Sequence, residues 1–248
     1  MSELQKRIQK VQRRETGARL GFGPVTREQP RAMLLIARVA DANGATAGAD
    51  AVVVVVDSAA AAAVVVGGLD KKSCRGALVP ALDEAGAVAL RQAGSDFAIS
   101  ALDTTAAIAV KTDDMGHVVD ASGPLDEATL RAMAPLGLDG LFVDHSAGGM
   151  TLGQQLGLVR LATLANTPLL VGVAAGATVE ELRVLRDSGC GGVVAPLGAS
   201  AEELVALAER LKAVPAPSKG KKREDSPTLP SMFGGSEAEH DHDDDDDE

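Results

Sequence analysis

The sequence contains no tryptophan and no tyrosine, and only four phenylalanines in 248 residues. Any core must therefore be packed with small and branched aliphatics, which the 46% apolar content supplies. Cysteine is nearly as scarce. Cys74 and Cys190 stand far apart without metal-ligand spacing, which excludes a disulfide framework and reads as two reduced thiols of a cytoplasmic protein. Long hydrophobic runs are missing too. The nearest, 51–66, is interrupted by Asp57 and falls short of the roughly 20 residues of a membrane helix, so no membrane span is expected. The basic N-terminus is not followed by the apolar segment of a secretory signal. Positive charge is in deficit, with 24 Lys and Arg against 35 Asp and Glu. An acidic chain almost without aromatics has neither the basic face nor the stacking platforms of a nucleic-acid binder.

The net charge of −11 is unevenly placed. Residues 1–18 read as a basic amphipathic helix, with Leu4, Ile8 and Val11 on one narrow apolar stripe. Such a helix either plugs one end of a domain or meets a partner. Residues 215–248 are rich in Pro, Ser, Gly and charge and end in "EHDHDDDDDE". They bury too little apolar surface to offset their ordering entropy and read as a disordered acidic tail. Within it, "TLPSMFGG" carries Leu229, Met232 and Phe233, a candidate docking segment for a protein partner.

Between these ends, residues 19–214 read as alternating strands and helices. The expected strands are 19–23, 49–57, 75–82, 95–100, 116–122, 138–146, 168–174 and 190–196. The run "ADAVVVVVD" has the β-branched continuity of a strand buried on both faces. The expected helices are 31–44, 58–69, 83–94, 103–110, 124–137, 151–166, 178–189 and 200–214, several of them closed by Gly. Eight strand–helix pairs with short connections predict an α/β fold, a closed parallel (β/α)8 TIM barrel.

The stretch "LLVGVAAGATVEELRVLRDSGCGGVV" resembles the last units of aldolase-type barrels, a group that includes the phosphate-binding barrels of tryptophan and thiamine biosynthesis and the flavin-linked barrels. The likeness covers Thr167 to Leu204 in sequence and the rest by architecture only, so it points to a superfamily. It implies a phosphate held by backbone N–H groups of the last two loops, here Gly172, Gly176 and Ala177 after the seventh strand and Gly198 and Ala199 after the eighth. The pattern departs from that group in two ways. The glycines are separated, with Pro196 intervening in the second loop. Both following helices also open with a capping box, Thr178 with Glu181 and Ser200 with Glu203. A capping carboxylate competes with a bound anion for the same donors, and neither loop carries Lys or Arg. These features weigh toward a closing scaffold, whereas backbone donors alone suffice for phosphate.

In this architecture the C-terminal strand ends carry the chemistry. They place Asp57 and Ser58, Ser100 and Asp103, Asp120, and Asp144, His145 and Ser146 at the mouth, with Arg27 and Glu28 after the first strand. Oxygen ligands of this kind suit Mg or Mn, but Asp and Ser are equally at home as helix N-caps, and no metal ligand set is assigned. His145, with Asp57 and Asp144, is the candidate catalytic set, since His exchanges protons near neutral pH. Adjacent residues on a strand face opposite ways, so Asp144 and His145 are not expected to share the pocket. No nucleophile elbow, Walker loop or zinc helix occurs, and the sequence names no cofactor. Two functions remain open. One is a lyase- or isomerase-like enzyme acting on a small anionic, for instance phosphorylated, metabolite. The other is a non-catalytic barrel serving as a scaffold, with the tail as its docking segment. The poverty of basic and aromatic residues around the expected mouth favours the second, and the habits of the fold favour the first.

Overall fold

The computed structural model describes residues 2–16, 31–110, 114–145 and 149–215. Eight parallel strands close into a barrel in sequence order: β1 (Leu34–Val39), β2 (Ala51–Val55), β3 (Cys74–Val79), β4 (Phe97–Ala101), β5 (Gly116–Asp120), β6 (Gly140–Asp144), β7 (Leu169–Gly172) and β8 (Cys190–Leu197). The helices are α1 (Glu3–Thr16), α2 (Ala59–Gly68), α3 (Glu84–Gln92), α4 (Ala107–Val110), α5 (Glu127–Met133), α6 (Leu152–Ala165), α7 (Val179–Asp187) and α8 (Ala201–Ala213). The (β/α)8 architecture expected from the sequence holds.

One element is reassigned. Residues 31–44, expected as a helix, contain β1, which pairs with β2 on one side and closes the barrel against β8 on the other, Ile36 opposite Ala51 and Val194. The expected strand at 19–23 and the residues Arg27 and Glu28 lie outside the described residues. Ala, Met, Leu and Arg are strong helix formers, and 31–44 is rich in them. Pairing on both sides overrides that local preference. No helix follows β1; turns carry the chain from Val39 to Ala51.

Side chains alternate across each strand. The inner set, Leu34, Ile36, Ala51, Val53, Cys74, Phe97, Ile99, Val118, Phe142, Leu170 and Val194, fills the barrel. Leu4 and Ile8 of α1 belong to this same cluster and are fully buried, so the amphipathic helix plugs the N-terminal end. Ser2 ties it down. Its Oγ accepts the Gln5 N–H and donates to Asp139 Oδ1 at 2.7 Å, while Asp139 Oδ2 accepts the His117 N–H. The outer faces pack under the helices in two further clusters.

Helix ends follow the start and stop signals of the sequence. Ser58, Asp83 and Asp126 cap α2, α3 and α5 through side-chain oxygens. Gly94 and Gly189, expected as stops, adopt φ of +82° and +92°, a conformation open to glycine at little cost. Segment 103–110, expected as a short helix, is a 3-10 turn over Leu102–Thr104 followed by the single turn of α4.

Candidate functional site

The alternation that places Leu34 and Ile36 inside the barrel also turns Arg38 inward at the C-terminal mouth. Arg38 Nε donates to the Ala195 carbonyl of β8 at 2.7 Å. Its Nη1 donates to Asp144 Oδ2 of β6 at 2.9 Å. The Arg38 side chain is 10% exposed and that of Asp144 39%. The pair thus has one buried and one open member, and screening at Asp144 keeps its net contribution near ~1 kcal/mol. The network continues across the mouth. The Asp144 N–H donates to Ser122 Oγ at 3.0 Å, and Ser122 in turn donates through Oγ and N–H to Asp120 Oδ1 at 2.6 and 2.9 Å. Strands β5, β6, β1 and β8 therefore join in one polar chain holding two carboxylates and one guanidinium.

Gly172 has a role here that its place in a loop pattern did not suggest. A Cβ at this position would lie 2.5 Å from Asp144 Oδ1, so the glycine gives the carboxylate its room. Asp57 stands exposed beyond β2, without a hydrogen bond among the described residues.

His145 goes elsewhere. Val143 packs with the outer cluster and Phe142 with the inner one, so Asp144 faces inward and His145 outward, as expected for neighbours on a strand. The His145 N–H donates to the Gly172 carbonyl. Its half-buried ring lies close enough to Glu181 for their charges to interact. Its Nε2 is buried without a hydrogen-bond partner among the described residues. Glu181 is the hub of this side: the Thr178 N–H, against the opposing push of burial, holds its carboxyl below the usual range, helped by the Thr178 hydroxyl, the Gly149 N–H and His145.

Both expected capping boxes form. Glu181 accepts from Thr178 N and Thr178 Oγ1 accepts from Glu181 N; Glu203 and Ser200 do the same at α8. A third, Thr151 with Gln154, opens α6. In the loops, Ala177 N donates to Ala174 O and Ala199 N to Pro196 O. These backbone donors are therefore engaged within the loops. Gly176 and Gly198 are exposed, and nothing lies within 4 Å of where a Cβ would sit at either. Arg210 of α8 holds the first loop from behind, its Nη1 donating to Ala177 O and its Nη2 to Ala175 O. No group of three or more His, Cys, Asp and Glu among the described residues is placed to hold a metal ion, and no helix among them is long and apolar enough to cross a membrane.

Reasoning from sequence misses Arg38, because 31–44 reads as a helix. The signal is present in "LLIARV", a strand-length apolar run whose one charge sits in step with Leu34 and Ile36.

This fold has known counterparts. Among solved structures, the chain is similar to 3-keto-L-gulonate-6-phosphate decarboxylase from Vibrio cholerae, with a TM-score of 0.58 at 16% identity over 73% of this chain and 98% of that one. It is similar to KGPDC from Streptococcus mutans in complex with a phosphorylated sugar, with a TM-score of 0.59 at 12% identity over 73% and 98%. It is also similar to a mutant tryptophan synthase alpha-subunit from the hyperthermophile Pyrococcus furiosus, with a TM-score of 0.57 at 10% identity over 74% and 98%. Identities this low establish a shared fold alone, that of a closed eight-stranded parallel α/β barrel. No protein-family model matches the sequence, and no curated protein sequence matches it.

Proposed function

We propose that the protein is a lyase- or isomerase-like enzyme acting on a small anionic metabolite at the C-terminal mouth of the barrel. The Arg38–Asp144 pair carries this reading. Arg38 Nη2 makes no hydrogen bond among the described residues, so the guanidinium keeps a donor for an incoming oxyanion while Nε and Nη1 fix its plane. Asp144 stands beside it, open to solvent on one side. A carboxylate there can take a proton from a carbon next to a carbonyl. The electron pair left behind moves onto the carbonyl oxygen, where the Arg38 charge stabilises it, and return of the proton to a neighbouring atom completes an isomerisation. Of the candidate catalytic set we give Asp144 the proton-carrying role. His145, turned to the outer face, and Asp57, exposed beyond β2, are given no part in the proton transfer. Gly176 and Gly198 offer open backbone to a phosphate. The neighbours support the class: one is a decarboxylase named for a 6-phosphate substrate and another holds a phosphorylated sugar.

One observation favours a non-catalytic scaffold. The capping carboxylates Glu181 and Glu203 stand at the helix N-termini where phosphate would be bound. A thermal-shift screen of phosphorylated metabolites and divalent metals, run on the wild type, Arg38→Met and Asp144→Asn, separates the two readings. The enzyme reading expects a stabilising ligand whose effect is lost in Arg38→Met. It further expects Asp144→Asn to retain binding but abolish turnover of that ligand. A screen without hits, or hits indifferent to both substitutions, leaves the scaffold.

A further inference from the structure

At the opposite end of the barrel one cavity carries an excess of positive charge. At the N-terminal face lies a cavity of about 460 Å³ between the plug helix α1, the α2–β3 loop and the start of β4. That volume is within the range of small-ligand sites. Five cations line it: Lys6 and Arg7 of α1, Lys71 and Lys72 of the loop, and Arg75 of β3. Three acids, Glu3, Asp96 and Asp114, line it as well, leaving an excess of two positive charges in a chain whose net charge is −11.

Two of the acids are already engaged. Glu3 pairs with Lys6 at 3.8 Å and Arg7 at 3.2 Å. Asp96 Oδ2 accepts the Arg75 backbone N–H at 2.8 Å. Lys71 and Lys72 have no ion-pair partner among the described residues, and the adjacent Asp70 turns its Oδ1 to the Lys72 backbone N–H.

Arg75 is the buried cation of the lining. It is 7% exposed. Its Nη1 closes the end of α2 by donating to Val66 O at 3.1 Å and Leu69 O at 3.3 Å. Its Nε is buried with no acceptor among the described residues. A buried guanidinium N–H without an acceptor is costly and rare. An oxyanion in the cavity answers the charge excess left by its lining residues.

We propose that this N-terminal cavity is an oxyanion site, formed by Lys6, Arg7, Lys71, Lys72 and Arg75, that takes a phosphate group, free or carried by a small metabolite. Because Lys6 and Arg7 belong to the plug, an occupied site fastens α1 to the barrel. The site lies at the other end of the strands from Arg38 and Asp144 and does not depend on the activity proposed for the mouth.

The test is calorimetric titration of the full chain with inorganic phosphate and pyrophosphate, with sodium chloride at matched ionic strength as control. The comparison is among the wild type, Lys71→Glu/Lys72→Glu and Arg38→Met. Both lysines are exposed, so the double variant is expected to fold, and its circular dichroism and Tm without phosphate verify this. The site predicts saturable binding of either anion, weakened at least tenfold in the lysine double variant and within twofold of wild type in Arg38→Met. Ribose 5-phosphate in place of inorganic phosphate shows whether the site accepts a carried phosphate group. Absence of saturable binding overturns the proposal, as does binding indifferent to the lysine double variant. Binding lost in Arg38→Met alone places the anion at the mouth, which refutes this site and supports the activity proposed there.

Discussion

Gly76→Ala should be among the most damaging single-methyl changes in the barrel. Gly76 on β3 is the register partner of Phe97 on β4. A Cβ at residue 76 would lie 2.4 Å from Phe97 Cε2 and Cζ and 2.6 Å from Cδ2. Carbon atoms in ordinary contact stand about 3.5–4.0 Å apart, so the ring has to retreat by roughly 1 Å. It has little room to do so, because Phe97 is 0% exposed and packed inside the barrel core. Overpacking of this kind costs about 1–3 kcal/mol, and a rigid ring puts it toward the upper end. In a domain of this size each kcal/mol lowers Tm by about 2–4 °C. Phe97→Leu removes the ring atoms concerned at less than the ~3–5 kcal/mol of full truncation to alanine. In the double variant the new methyl occupies the space the ring left, so the two effects should fall short of their sum by at least ~1 kcal/mol. With no Trp or Tyr in the chain, urea unfolding followed by far-UV circular dichroism is the suitable assay. Additivity within about 0.5 kcal/mol would refute the packing of Phe97 over Gly76, and with it this account of how a chain so poor in aromatics fills its interior.

Further outcomes can be checked independently. Burial pushes the thiols of Cys74 and Cys190 up to about 12, so both should resist alkylation in the native protein and react on unfolding; fast native labelling of either contradicts its placement. Burial lowers the His117 pKa below 6.5, with Arg91 adding to the shift and Asp139 opposing it. The unfolded chain therefore takes up this proton first, and the associated stability is present above pH ~6.5 and lost as pH falls toward the folded value. The Tm difference between wild type and His117→Gln should vary with pH over that window; a flat difference from pH 8 to 5 counts against it. Truncation after Ala216 should leave Tm nearly unchanged, since the tail composition offers little to bury. A loss of several degrees would place the domain boundary further along the chain.

Much of this structure was legible in residue order. Strands β2 to β8 were readable because β-branched runs such as 52–56 are bounded by turn residues and separated by capped helices. The plug was legible from Leu4, Ile8 and Val11. What escaped was β1, and with it Arg38. A segment rich in Ala, Leu, Met and Arg has no local reason to be extended. Only its two neighbours in the closed sheet make it so, and their identity is tertiary information. The pleat argument did separate Asp144 from His145, but it could not say which faced inward. That depended on the phase of β6, set by Leu141 and Phe142 on opposite faces. The capping boxes were readable because they are local. The hydrogen bond from the Gly149 N–H to Glu181 Oε1 joins the loop before α6 to the first turn of α7, and nothing in either stretch announces it.

The seam between β1 and β8 has a consequence for the order of folding. The hydrogen bond from Arg38 to Ala195 spans 157 residues of sequence. Contacts this distant form late, because the intervening chain must be ordered before they repay its loss of freedom. During synthesis, β1 to β7 can assemble as an open sheet while β8 is still inside the ribosome. That intermediate exposes two raw strand edges and an unsealed aliphatic interior, the surfaces most prone to aggregation. Arg38 reaches its acceptor on β8 only when the last strand docks. The polar chain at the mouth is thus completed by the same event that ends the hazard, and a ligand seated there would hold the ring shut by mass action, slowing the reverse step of unzipping.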